Sequence, residues 1–374
     1  GPPGIAGPPG PIGPTGPDSS VFVLAGGSAI SNIIPSLGSH SNSGSYSSIL
    51  GGTNNNNVGN FNTIGGGTNN NINTTNTKYS LILGGNDNNI NSVGNYNTIC
   101  GGRHNRLSGI SYNFIGGGHN NTITTSGKFS VIGGGHYNSS SGLYSFIGSG
   151  VNNIATGDFS TIVCGTQNSA SGNYSTILGG SNGLAGGNRS IILNGSYCTA
   201  DGRYSVAGGS HAKAMHDGTF VWADGATTTI DLNSTAVNQW SVRCVNGARF
   251  FTSTDHSEIT GTGVRLPAGG SAWSSMSNRD IKENFIELDY SDILLKLEQL
   301  DITTWNFKSQ DPSIRHIGPV AQDFYQLFKL GESNTKISTI DADGVALASA
   351  KGLLLLLKNL THRQSIQHAK ISQI

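Results

Sequence analysis

The sequence has little of what most binding and catalytic chemistry rests on. Charged residues make up only 11%, with Lys+Arg and Asp+Glu at 21 each. No net field therefore draws nucleic-acid phosphates or an anionic membrane surface, and we expect neither as a partner. Nor does any run approach the roughly 18–20 apolar residues of a membrane span; the longest is the leucine run at residues 353–357. The four cysteines (Cys100, Cys164, Cys198 and Cys244) lack paired spacing, which excludes a disulfide framework or a zinc site. No cofactor is expected. Hydrophobic residues reach only 35% while Gly numbers 55 of 374, so much of the chain cannot build a three-dimensional core. A one-dimensional stack of repeats remains open. The chain opens on Gly1 rather than Met, from which we expect a piece of a longer protein.

What is present is periodic. Residues 1–18 read as unbroken Gly-X-Y triplets, the pattern imposed when three polyproline II chains wind about an axis that only Gly fits. A collagen-like segment implies three chains. After a linker or cap at residues 19–43, a second repeat begins, in which an aromatic, a small polar residue, any residue and an aliphatic recur. Tyr46 to Ile49, Phe61 to Ile64, Tyr79 to Ile82 and Tyr96 to Ile99 are the first examples, and Tyr174 to Ile177 is a late one. Successive aromatic positions are 15, 18, 17, 16 and 17 residues apart, then regularly 15. The extra residues fall in Asn/Thr/Ser segments, which read as loops. Strand alternation puts the aromatic and the residue two after it on one face, the polar residue and the aliphatic on the other. Glycines at the corners supply positive φ. A unit this short cannot bury its apolar face alone, so the units must stack as a parallel β-roll, one coil per repeat, over residues 44–219.

The stretch from Gly172 to Gly179 resembles the units of trimeric autotransporter adhesin heads, which read like Gly-x-x-Ser-Ile-Ala-x-Gly. The resemblance covers roughly residues 44–224 and implies a left-handed roll packed as a trimer. A calcium-binding roll would need regularly spaced Asp, and Asp87, Asp158 and Asp201 are irregular. His119 and His136 share one slot of the repeat, so stacking brings them together; we read a polar turn position rather than a metal site. Cys100 takes the slot of Leu50, Leu83 and Leu178, from which we expect a buried, reduced thiol.

Residues 220–273 break the period, with Trp222, Trp240 and Trp273 among short strands, and read as a β neck that closes the roll. Asn238 to Phe251 resembles segments preceding the chaperone domain of phage tail fibres. From residue 274 the composition becomes that of an ordinary mixed domain. Ser277-Asn278-Arg279-Asp280-Ile281-Lys282-Glu283-Asn284 resembles the start of the intramolecular chaperone domain of viral tail spikes and fibres, the endosialidase type. Its pattern is Ser-Asp-x-x-x-Lys-x-Asn. The resemblance implies Ser277 as nucleophile, Lys282 as base and a cut at the Ser277–Asn278 bond. Ser275 lacks a Lys at that spacing. Asn278, Pro319, Asp323 and Ala342 replace the family's Asp, aromatic, Glu and Tyr; the first is the departure that bears on the efficiency of cleavage.

A serine hydroxyl needs a base, and a neutral lysine amine can serve. Five residues of α-helix would turn the two side chains apart, so the dyad needs a non-helical segment or pairing between chains. The competing reading of the same residues is a helix capping box from Ser277 to Asp280, with Lys282 a solvated lysine. Downstream, residues 291–299 read as a helix, with Ile293, Leu294, Leu297 and Leu300 on one side. A strand is expected at residues 301–307, and His316 to Gln322 as a strand entering a helix. A long helix over 345–374 would carry Leu353, Leu356, Leu357 and Leu360 as a coiled-coil seam.

The expected fold is thus mainly β, a trimeric parallel β-roll of about 15-residue repeats, followed by a small α+β chaperone domain at residues 274–374. The function expected is a homotrimeric viral or phage fibre on the virion surface, matured by a single self-cleavage. The alternative is an adhesin whose roll or neck binds a host receptor or glycan, with the C-terminal domain purely a trimerisation chaperone.

Overall fold

The computed structural model describes residues 22–24, 33–35 and 39–372, apart from residue 228; the collagen-like triplets lie outside the described residues. The chain falls into two compact units. One takes in the described residues up to Phe250 with Arg265–Ser274, the other Phe251–Val264 with the residues from Ser275 onward.

The first unit is a parallel β-solenoid of about twelve turns. Most coils give a two-residue strand to each of two sheets, with longer strands from Ile191–Ser196 onward. Ser48–Ile49, Thr63–Ile64 and Leu81–Ile82 are neighbours in the first sheet, and Asn56–Asn57, Asn71–Ile72 and Asn89–Ile90 in the second. The register is that of the repeat, with Ile64 beside Ile82 and Ile82 beside Ile99. Alternation works as the sequence implied: Ile49, Ile64, Ile82, Ile99 and Ile115 are fully buried, as are Asn62 and Asn97 two residues before their isoleucines. The polar segments are not simply loops, because each carries the second-sheet strand. Their inserted residues all sit at one corner. Ten residues separate Ile72 from Ile82 where seven separate Asn57 from Ile64, while the step from first to second sheet stays at eight, as from Ile64 to Ile72.

Two corners per coil carry left-handed backbone on non-glycine residues. The aromatics themselves take it, Tyr46 at φ 56° and Phe61 at 57°, as do Asn54, Asn69 and Asp87 at 55–56°. Stacking rewards this arrangement: rings from Tyr46 to Tyr174 form a ladder with centroids 4.7–5.1 Å apart. Each such pair adds about 0.5–1.5 kcal/mol beyond burial. Glycines are required where coils touch most closely. Gly118 has φ +86°, and a Cβ there would lie 2.2 Å from the Gly135 carbonyl oxygen.

Buried asparagines tie coil to coil. Asn105 Nδ2 donates to the Gly101 and Gly118 carbonyls at 2.9 and 3.0 Å, and its Oδ1 accepts from the Asn121 backbone N–H at 3.0 Å. Asn70, Asn88, Asn121, Asn138 and Asn153 repeat the motif. Each amide satisfies inner backbone groups that a two-residue strand leaves over.

Cys100 is not the buried thiol expected. Its slot faces outward, where Leu50 and Leu83 are about half exposed, and Cys100 is half-buried. The buried cysteine is Cys198, and burial pushes its thiol pKa up. The first sheet also continues beyond residue 219. Phe220–Ala223 pairs with Val206–Ser210 and then with Trp240–Arg243, all parallel. Loss of the aromatic-polar-x-aliphatic signature therefore marks a lengthened coil, closed by an Arg243–Asp224 ion pair at 3.2 Å.

Among its described residues the second unit has three α-helices: α1 (Tyr290–Gln299), α2 (Ala321–Phe328) and α3 (Thr339–Ile371). An antiparallel pair, Thr303–Trp305 with His316–Gly318, lies between α1 and α2 in sequence. Asp289 caps α1 by accepting from Ser291 N at 2.9 Å, and Ser338 caps α3. The core gathers Leu300, Phe324, Phe328 and Val345, with Ile293 and Leu297 of α1 packed against it. The last helix begins at Thr339 rather than Val345. Its Leu353, Leu356, Leu357 and Leu360 are all about half exposed. Among the described residues no helix is long and apolar enough to cross a membrane.

Candidate functional site: Ser277 and Lys282

Ser277 and Lys282 flank a single 3-10 turn, Arg279–Ile281. Asn278 starts the turn in extended conformation, and its side chain accepts from the Asp280 N–H at 3.4 Å. Lys282 ends it with φ −124° and ψ 145°, also extended. A 3-10 turn advances three residues per revolution, so with extended residues on both sides the chain doubles back. Lys282 Nζ then donates to Ser277 Oγ at 2.5 Å. Continuous α-helix would have parted them.

The capping role that the sequence offered to Ser277 belongs to Asn278. Its Nδ2 also donates to the Ile259 carbonyl at 2.8 Å, anchoring the turn. Arg279 stacks its guanidinium over Phe285 at 4.6 Å, and Asn284 takes a left-handed backbone at φ 57°. Sequence reasoning missed these supports. The signal was there in Asn278-Arg279-Asp280, since Asn bonds readily to the backbone two residues on. Both Ser277 and Lys282 are exposed in the single chain. A charge-neutral lysine amine at this distance could accept the serine proton and turn the hydroxyl into a nucleophile.

The histidines form a separate cluster on the solenoid. His119 and His136 rings stack at 4.8 Å, His104 lies 5.6 Å from His119, and Asp87 Oδ2 pairs with His104 Nδ1 at 2.7 Å. Loss of hydration, then the neighbouring His136, Arg103 and His104, hold the His119 pKa below the usual histidine range. Among the described residues no group of three or more His, Cys, Asp or Glu could hold a metal ion.

Residues 277–329 match the family described as the chaperone of endosialidase. This C-terminal region is similar to an endosialidase-type chaperone. The match begins on Ser277 and takes in Lys282, α1, both antiparallel strands and α2. The family is a self-cleaving chaperone domain of serine-peptidase type, and it implies trimer formation. No curated protein matches the chain. The chaperone match and the solenoid together support a phage fibre-like protein.

Proposed function

We propose that the protein is a homotrimeric virion fibre whose C-terminal region, residues 274–374, directs assembly, after which cleavage of the Ser277–Asn278 bond releases residues 278–374. The observation that carries this reading is the 2.5 Å contact between Lys282 Nζ and Ser277 Oγ at the start of the chaperone-like stretch. In the proposed reaction the neutral Lys282 amine takes the Ser277 hydroxyl proton, and Oγ adds to the Ser277 carbonyl carbon. The C–N bond breaks, and the Lys282 ammonium returns the proton to the leaving α-amine of Asn278. Water then hydrolyses the ester, leaving a carboxylate on Ser277. Attack on its own carbonyl would close a strained four-membered ring; attack by Ser277 of a neighbouring protomer avoids it.

Assembly explains why a fibre would carry a disposable chaperone. Identical coils pair equally well out of step, so register must be set from outside the repeat. A C-terminal region that trimerises first sets it, with the exposed leucines of α3 as a seam for three helices. Once the template has left, the fibre is kinetically trapped. The collagen-like residues 1–18, the linker or cap at 19–43, the roll at 44–219 and the neck at 220–273 would form the retained fibre. Denaturing electrophoresis of the full chain tests the dyad: a fragment of residues 278–374 is expected, and S277A and K282A should each abolish it. Persistence of that fragment in either variant would refute the assignment.

A further inference from the structure

The two outer faces of the solenoid differ in apolar content. The second sheet turns outward mostly polar residues, Asn71, Arg106, Ser139 and Ser169 among them, with Ile154 and Leu184 as apolar exceptions. The first turns outward Leu50, Leu83, Phe114, Phe146, Val163 and Leu178, each more than a third exposed, beside the aromatic ladder. Three columns make up this face: the ladder position, the residue two after it and the residue four after it. From Tyr46 to Gly208 they contain a single charged residue, Arg189.

Where the middle column is Phe, the third is Gly: a Cβ on Gly116 or Gly148 would meet the ring of Phe114 or Phe146 at 3.3 or 3.4 Å. Each ring therefore lies across its glycine. Where the middle column is the smaller Thr161 or Thr176, the third is Val163 or Leu178. The other coils vary: Leu81 with Leu83 and Ile191 with Leu193 are both large, whereas Thr63 with Gly65 are both small. An apolar surface of this extent ordinarily marks an interaction site.

The absence of charge points to what covers it. About a rotational axis each side chain near the axis faces its own copies, so any charge there meets like charge. The other charges of the roll include Arg106 and Lys213 on the second sheet, Asp87 and Arg103 at one corner, and Lys78, Lys128, Asp158 and Arg203 at the ladder corner, each just before its aromatic along the edge of the face. We infer that the outer face of the first sheet is the surface by which three solenoids pack about their common axis, with the second sheet facing solvent. This rests on the trimeric reading proposed above and adds the face used.

The test takes the full chain carrying L178C or S171C, positions on the first and second sheets that are both exposed in a single chain. Light scattering gives the mass in solution, and maleimide labelling mapped by peptide mass gives each thiol's rate. A three-chain particle is expected in which the L178C thiol reacts roughly tenfold or more slowly than the S171C thiol, because a packed interface core excludes solvent as an interior does. Denaturation should make the two rates equal. T176C, on the same face and a smaller change, replaces L178C should that variant lower the yield of trimer. Equal or inverted rates in a three-chain particle would overturn the face and leave the trimer standing, pointing to an external ligand for the apolar surface. A single-chain mass for the unsubstituted protein would overturn both.

Discussion

Asn105→Ala tests whether the buried amides hold the solenoid together. The Asn105 side chain serves one carbonyl in its own coil and a carbonyl and an N–H in the next. Gly118 O keeps a second donor, the Arg103 N–H at 2.9 Å, and Gly101 is half-buried, so its carbonyl can turn toward water. The Asn121 N–H has neither recourse, since Asn121 is fully buried. Stranding a buried donor costs about 1–3 kcal/mol, and the partly solvated carbonyl raises the total to about 2–4 kcal/mol. A stack that loses this much at one coil should open there first, because each coil is held only by its neighbours. Hydrogen exchange read by mass spectrometry over residues 98–123 should accelerate roughly 30- to 1,000-fold. Thr122→Ala, on the outer face of the adjoining strand, should stay within about 0.5 kcal/mol of the parent. If Asn105→Ala exchanges no faster than Thr122→Ala, the amide ladder is incidental and the coils are held by isoleucine packing alone.

Two further outcomes follow from the same geometry. Gly118→Ala should lower thermal stability markedly, through the 2.2 Å clash with Gly135 O and the +86° φ, whereas Gly134→Ala meets nothing within 4 Å and should be close to neutral; equal melting temperatures would contradict the reading. His119 has a folded pKa below its unfolded value of about 6.5. Its stabilising contribution is therefore present above that pH and lost as pH falls through the folded pKa. Melting temperature should drop on acidification below pH about 6.5, and the drop should be smaller in His119→Gln; identical profiles would remove His119 as the cause.

The sequence made one part of the solenoid plain and hid another. The aromatic-polar-x-aliphatic unit specified which residues go inward, because a strand's alternation leaves no choice once Ile is assigned to the core. The second sheet was hidden: Asn71–Ile72 or Asn56–Asn57 is too short and too polar to stand out as a strand, and its inward residues are held by amide hydrogen bonds as much as by apolar burial. Left-handed aromatics were not anticipated either, since φ near 55° is disfavoured for Tyr and Phe until neighbouring rings stack. Cys100 was misplaced for a related reason. Leucine in its slot suggested a core position, yet those leucines lie on the outward apolar face. At the junction, Ser277 and Lys282 were singled out by resemblance to the start of the chaperone domain, while the 3-10 turn between them depends on Asn278, whose local hydrogen bonding carries no long-range signal.

The most direct test of the account is the intact mass of the two polypeptides present after the full chain has assembled. Self-cleavage by the Ser277–Lys282 pair predicts a larger product ending at Ser277, recovered as three copies under native conditions, and a smaller one beginning at Asn278. A correctly folded three-chain particle built only of uncut chains, or a cut at any other bond, would contradict it.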